Sequence, residues 1–307
     1  MKNIAITGVT GFVGQNLSNY LSDFLIHGIS RKKTEQCISY EELSTENLNE
    51  FDVFVHLAGK AHDLKKTSQD QDYFEVNTEL TKRLFNQFLE SSCKTFIYMS
   101  SVKAAADEVQ GFLDENCIPN PVTVYGKSKL DAETYILGKK MPKDKRVYIL
   151  RPCMIHGPGN KGNLNVLYSF VEKGIPYPFG KYVNQRSFLS VENLCFVIKE
   201  LIENKNIPSG VYHVADDETV STNELVQIIG KTIRKSAKII NLPKFLVNVL
   251  AAVGDIIPLP INSERVQKLT ENYCVSNTKI KKAIGKEFPL SAKEGIERTI
   301  KSFIQPK

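Results

Sequence analysis

The feature that most restricts what this chain can become lies at its beginning. A short apolar run, Asn3-Ile4-Ala5-Ile6-Thr7, passes directly into Gly8-Val9-Thr10-Gly11-Phe12-Val13-Gly14. Gly8 can make a tight turn, Gly11 lets the backbone approach a pyrophosphate, and Gly14 lets a helix pack closely on the strand it follows. The helix opening at Phe12 would aim its unpaired N–H groups and the positive end of its dipole at an anion. Glycine triplets also occur in ordinary loops, so the reading rests on position. At the first strand-to-helix junction, the segment predicts a dinucleotide held by Gly8, Gly11, Phe12, Val13 and Gly14.

The next stretch repeats the alternation. Strand-like runs at 3–7, 25–30, 53–57, 95–100 and 147–150 are separated by amphipathic helical patterns such as 12–21, 73–89 and 127–137. Strand, crossover helix and strand predict an α/β chain with a Rossmann-type, doubly wound parallel sheet. Ligand is then expected outside the strand C-termini, at the switch point. After Arg151 the texture changes to turn-rich segments at 156–163 and 174–180, which predict a smaller, mixed C-terminal substrate lobe. The expected division is a dinucleotide-binding domain at 1–160, to which the chain returns at about 181–220 through a strand at 211–215. Residues 161–180 and 221–307 would form the substrate-binding lobe.

With 307 residues, 42% of them hydrophobic, the chain can bury a real core. Its net charge of +6 is interspersed along the length, which argues against nucleic acid and suits a polyanionic small molecule. Cys37, Cys93, Cys117, Cys153, Cys195 and Cys274 form no C-x-x-C pair and no metal-ligand cluster; they read as free thiols in a reducing compartment, with no metal. The N-terminus reads as a first strand and not as a signal peptide. The longest apolar stretch, 245–257, is interrupted by Asn248, Gly254 and Asp255 and falls short of the roughly 20 residues that span a bilayer. It is expected as a buried or interface helix, in a cytoplasmic protein with no membrane partner.

The end of the second strand bears on the cofactor. An Asp or Glu there would hydrogen-bond an adenosine ribose, but the chain reads Ile29-Ser30-Arg31-Lys32-Lys33. No carboxylate repels a 2′-phosphate, and Arg31 can grip one beside Ser30. The reading leans to NADP(H) over NAD(H); a solvated basic loop is the alternative.

Tyr125 and Lys129 are four apart at the start of a helical stretch, so their side chains share a face. A free tyrosine has a pKa near ~10 and is a poor base. A neighbouring Lys129 ammonium and an oxidised nicotinamide would favour phenolate, fitting Tyr125 to exchange a proton with a hydroxyl as hydride moves.

The G-x-x-G-x-x-G spacing resembles that of the extended short-chain dehydrogenases, the NAD-dependent epimerase/dehydratase family. Further segments are similar in order: His56-Leu57-Ala58-Gly59, Val76-Asn77-Thr78, Ser100-Ser101, Tyr125-Gly126-Lys127-Ser128-Lys129, Arg151-Pro152 and His156-Gly157-Pro158-Gly159. The resemblance covers nearly the whole chain. It implies a catalytic Ser101 beside Tyr125 and Lys129, with Leu57, Ala58, Gly59, Asn77 and Pro152 completing the cofactor site. Asn77 would steady the active-site backbone, and His156 stands where relatives often carry an aromatic, open to a substrate-facing role. The segments from Gly162 and from Pro178 to Val191 resemble those holding a nucleotide diphosphate, making Asn163 and Arg186 candidate substrate anchors and Arg265 a further one.

The implied partner is a nucleotide-diphosphate sugar. Relatives that eliminate water need an Asp-Glu pair directly after the Ser/Thr, and Val102-Lys103-Ala104-Ala105-Ala106 offers none. What is left is hydride transfer at C4 of a hexose, leaning through Arg31 to an NADPH-dependent 4-ketoreductase. A UDP-hexose 4-epimerase retaining NAD is the alternative, and an NADP(H)-sensing regulator is the non-enzyme reading. The resemblance also implies a homodimer, formed by the helices around 80–89 and 129–137.

Overall fold

Successive residues in the central strands point to opposite faces, and nearly all are apolar, so both faces must be covered. Ile4, Ile6, Val53, Val55, Ile97, Met99 and Leu150 enter one core cluster. Their sequence neighbours Ala5, Phe54, Phe96, Tyr98 and Ile149 enter a second cluster on the other side. The period of two thus builds a three-layer sandwich.

A computed structural model describes residues 1–34, 37–61, 69–160, 163–257 and 262–304. Its strands are β1 (Asn3–Thr7), β2 (Leu25–Ser30), β3 (Cys37–Ser39), β4 (Val53–His56), β5 (Thr95–Met99), β6 (Phe112–Leu113), β7 (Arg146–Pro152), β8 (Met154–His156), β9 (Arg186–Ser190), β10 (Gly210–Val214), β11 (Thr219–Val220) and β12 (Cys274–Val275). The helices are α1 (Phe12–Tyr20), α2 (Thr45–Leu48), α3 (Asp70–Phe74), α4 (Leu80–Glu90), α5 (Val124–Leu137), α6 (Asn163–Glu172), α7 (Val191–Glu203), α8 (Thr222–Thr232), α9 (Lys244–Ile256), α10 (Ser263–Thr270), α11 (Thr278–Ile284) and α12 (Ala292–Ile304).

The main sheet has seven strands in the order β10-β7-β5-β4-β1-β2-β3, and every neighbouring pair is parallel. The chain moves outward from β1 in both directions, so the switch point lies between β1 and β4, above which a ligand is expected. Leu17 of α1 and Leu194, Ile198 and Leu201 of α7 pack on one face. Leu84, Phe85 and Phe88 of α4 and Ala132 and Ile136 of α5 pack on the other.

The stretch expected to rejoin the main sheet divides in two. β10 pairs with β7 at the sheet edge, whereas β9 joins a separate mixed sheet, parallel to β8 and antiparallel to β11. Only Phe188 and Leu189 are apolar in 186–190, and Phe188 enters a third core, with Leu167, Phe179, Ile229 and Ile296. A short pairing of β6 with β12 ties the C-terminal region back across the site. The helical pattern at 73–89 is broken by a π-helical turn, Glu75–Glu79, a feature concentrated at functional sites.

Candidate active site

Gly8 takes φ +70°, and its Cα lies so close to the next strand end that a Cβ there would come 3.0 Å from the Ala58 nitrogen. Gly14 has less room still, since a Cβ would fall 2.3 Å from the Gly8 carbonyl oxygen. These contacts press α1 onto the turn after β1. Gly11 is the N-cap of α1 and supplies no side-chain cap, leaving the first-turn N–H groups of Phe12, Val13 and Gly14 to whatever approaches. The cradle therefore fits a dinucleotide pyrophosphate in shape and polarity. Leu57, Ala58 and Gly59 follow β4 on the far side of the switch point, with the Ala58 N–H donating to Thr7 Oγ1 at 3.1 Å.

At the end of β2, Arg31 is exposed on a bend. It acts electrostatically on the half-buried Tyr40 phenol together with Arg83 of α4. Arg83 is a second cation acting on that phenol, one that its local sequence did not signal.

Tyr125 is set by the start of α5. Thr123 caps the helix by accepting from the Gly126 N–H at 3.2 Å, and Asp107 fixes the approach by accepting from the N–H groups of Val122 (2.6 Å) and Thr123 (3.0 Å). Ser101 is buried and caps the 3-10 turn Val102–Ala104, accepting from the Lys103 N–H at 3.2 Å. Its side chain also hydrogen-bonds the Tyr125 phenol. One turn further along α5, Lys129 is buried and donates to the Met99 carbonyl at 2.8 Å. A Cβ on Gly59 would lie 2.9 Å from Lys129 Nζ and 3.0 Å from Asn77 Oδ1, so the fold brings these expected residues to one place.

Burial raises the Tyr125 phenol above its ordinary value, and only the Ser101 hydrogen bond pulls it back. The expectation that Lys129 lowers it is not met in the chain by itself. The Lys129 amine is turned to Met99 and desolvated, which pushes its own pKa down to about 8 against the opposing charge of Glu133.

Asn77 sits in the π-helical turn, fully buried. Its Oδ1 accepts from the Lys60 N–H at 2.8 Å, and its Nδ2 donates to the Lys60 carbonyl at 3.0 Å and to Ser128 Oγ at 2.9 Å. It clamps the segment after Gly59 to α5, beside Lys129. Below it runs a second buried chain: Thr7 Oγ1 meets His56 Nδ1 at 2.7 Å, and His56 Nε2 meets Thr81 Oγ1 at 2.9 Å. Desolvation pushes His56 down to about 3, keeping it neutral.

Beneath the site lies an ion pair that sequence reasoning missed. The Arg151 Nε donates to both Glu133 carboxylate oxygens (3.0 and 3.1 Å) and Nη2 to Oε2 at 2.5 Å. Ser100 donates to the same carboxylate, and Arg151 Nη1 lies 3.4 Å from His213 Nε2. Glu133 is four residues beyond Lys129 on the same helix, the one signal that could have found it.

The substrate candidates are less complete. Arg186 opens β9, with Nη1 3.6 Å from Glu271, and its backbone forms a parallel bridge with Tyr273. Tyr273 in turn donates to the Ala106 carbonyl at 2.6 Å, which places Arg186 by the loop that follows Ser101. Asn163 begins α6 and Arg265 lies in α10, but both side chains lie outside the described residues. Pro152 ends β7 and is buried. His156 does not face a substrate cleft: it is buried, with Nδ1 2.8 Å from Thr299 Oγ1, behind α12. Among the described residues there is no cluster suited to a metal ion.

Residues 4–215 match the sequence model of the NAD dependent epimerase/dehydratase family. The chain is 30% identical to a UDP-glucose 4-epimerase of Vibrio cholerae, over 99% of this chain and 96% of that protein. It is 26% identical to the N-acetyl-alpha-D-glucosaminyl-diphospho-ditrans,octacis-undecaprenol 4-epimerase of Escherichia coli O157:H7, with the same coverage of 99% and 96%. The fold is similar to that of UDP-glucuronic acid 4-epimerase from Bacillus cereus in complex with NAD, at a TM-score of 0.75, 20% identity and 99% coverage of each chain.

Proposed function

The chain belongs to the NAD-dependent epimerase/dehydratase family and is an NAD(P)-dependent enzyme of the extended short-chain dehydrogenase type; from that premise we propose that it inverts C4 of a diphosphate-linked hexose. The observation that carries the reading is the convergence of Ser101, Tyr125 and Lys129 at the switch point, beside Gly59 and Asn77. The 4-epimerase names of two relatives aligned over 99% of the chain support C4 as the reacting carbon.

The first turn of α1 would hold the pyrophosphate of the dinucleotide, with the Leu57-Ala58-Gly59 segment, Asn77 and Lys129 completing its site. When bound, the oxidised nicotinamide supplies a positive charge and a hydride acceptor. Tyr125 removes the O4 proton as C4 is oxidised, and Ser101 holds the same oxygen. Tyr125 would return the proton to O4 when the ketone is reduced again from its opposite face. Arg186 anchors the diphosphate; an Arg186→Ala variant with unchanged UDP affinity would remove it from that role. Asp107, the first carboxylate after Ser101, is committed to the backbone ahead of α5, which supports hydride transfer over elimination. The diphosphate carrier is a nucleoside, as in the V. cholerae relative, or a polyprenol, as in the E. coli one.

A second reading is favoured by one specific observation, the Ser30-Arg31-Lys32-Lys33 sequence at the end of β2, where Arg31 acts electrostatically on the Tyr40 phenol. That end suits NADPH, used once by a 4-ketoreductase and released. Incubating the purified protein with diphosphate hexoses and no added nucleotide tests the two. Bound NAD in stoichiometric amount with formation of the C4 epimer supports the epimerase. Absence of bound cofactor, with NADPH-dependent consumption of a 4-keto sugar, replaces it with the reductase.

A further inference from the structure

The apolar stretch expected as a buried or interface helix forms α9, and only one side of that helix is buried in the core. Val247 and Ala251 are buried in the C-terminal core, at 1% and 3% exposure. On the other side Phe245 (65% exposed), Val249 (57%), Val253 (40%) and Ile256 (87%) fall on one stripe, extended by Leu246 and Ile257. At 13 residues α9 is too short to cross a bilayer, and no described helix is long and apolar enough to do so.

Charge identifies what covers the stripe. From Leu225 to Gly254 the chain holds five cations, Lys231, Arg234, Lys235, Lys238 and Lys244, and no carboxylate. All five are exposed. The one carboxylate on α9, Asp255, is engaged at the start of α10, accepting from the Ser263 N–H at 3.0 Å and the Ser263 hydroxyl at 2.5 Å. The segment leading into α9 bridges at Ile239 and Asn241 to Tyr177 and Phe179, and that neighbouring stretch carries the exposed Ile175 and Val183. Lys244 lies 5.3 Å from the Tyr182 ring centroid. An exposed apolar stripe preceded along the chain by exposed cations and no carboxylate has the composition of a helix lying in the plane of an anionic membrane surface.

We propose that α9 and the basic segment 231–244 dock this enzyme on an anionic phospholipid bilayer, with the stripe sunk among the acyl chains and the lysines on the headgroups. The substrate lobe would then face the membrane. On the C4 reading above, such a lobe meets a diphosphate sugar carried by a polyprenol in that bilayer. Docking itself does not depend on that chemistry, so its failure would leave the reaction proposal standing.

The test is sedimentation of the full chain with vesicles of phosphatidylcholine alone or with about a quarter phosphatidylglycerol, without sugar or cofactor. The wild type is expected to pellet with the anionic vesicles and to be released by salt. Val249→Asp with Ile256→Asp, and separately Lys238→Glu with Lys244→Glu, are expected to lower the partition at least about tenfold while binding NADPH as the wild type does. The chain contains no tryptophan, so a Phe245→Trp variant gives a single reporter whose emission should shift to the blue on anionic vesicles. Wild type that stays in the supernatant, a reporter that does not shift, or Asp variants that pellet like the wild type would each overturn the proposal. So would a dimer that Val249→Asp dissociates while vesicles bind nothing, because the cover would then be a second copy.

Discussion

Glu133→Gln should be among the most damaging isosteric changes in the chain. The carboxylate is 1% exposed and Arg151 is 5% exposed, so neither charge has water to fall back on. Glutamine keeps the shape and one acceptor but removes the negative charge, leaving the guanidinium facing His213, which burial and Arg151 hold down to about 4 and therefore neutral. Breaking a buried pair from one side costs about 3–5 kcal/mol. At this chain length each kcal/mol moves the melting temperature by about 2 °C, so the expected loss is roughly 6–10 °C by calorimetry without ligands. Replacing both partners, Glu133→Leu with Arg151→Met, should recover most of the loss, because no orphan charge remains. A single variant that melts within about 1 °C of wild type, or a double variant no better than the single one, would refute the assignment of a buried charge pair. The change also bears on the site above. Glu133 opposes the desolvation of Lys129, so in Glu133→Gln the amine should lose its proton below its present value of about 8, and the alkaline limb of kcat/KM should move to lower pH.

Tyr125→Phe should lower kcat by about 10²–10⁴-fold while the protein still binds cofactor, since on the proposed mechanism the phenol moves a proton; turnover near wild type would exclude it as the acid/base. Arg31→Ala should weaken NADPH binding by about tenfold to a hundredfold and NADH binding by less than about twofold, the loss of one charge-assisted contact to phosphate. An unchanged preference in a fluorescence titration would mean that the basic end of β2 is only solvated. Acid should unfold the protein early. His56 and His213 have folded pKa values depressed to about 3 and about 4, so the unfolded chain takes up protons first. Their contribution is fully present above the unfolded value near 6.5 and is lost as pH falls, at up to about 1.4 kcal/mol per pH unit for each. Urea midpoints that stay flat between pH 6.5 and 4.5 would contradict this.

Much of the architecture was legible because it rests on local rules. Apolar runs alternating with amphipathic segments specified the parallel sheet, and the spacing of Gly8, Gly11 and Gly14 marked the switch-point end before any tertiary contact was known. The Tyr125–Lys129 interval placed two side chains on one helix face for the same reason. What escaped depended on distance along the chain. Glu133 and Arg151 are ordinary surface residue types until α5 and β7 bring them together under the site. The strand at 186–190 has only Phe188 and Leu189 as apolar residues, a pattern that does not say which sheet it joins, and the third core, built from helices as far on as α12, decides. The π-helical turn at Glu75–Glu79 was read as plain helix because one extra residue per turn leaves little trace in hydrophobic periodicity. An apolar helix such as α9 does not announce which of its faces the fold will cover.

The most direct measurement follows a single atom. A hexose with deuterium at C4, offered on UDP and on polyprenyl diphosphate, is incubated with purified protein and no added nucleotide, and the products are resolved by mass and NMR. Inversion by oxidation and return of the same hydride predicts the C4 epimer with its deuterium still at C4. Deuterium exchanged for solvent hydrogen, or no epimer from either carrier, would contradict the account.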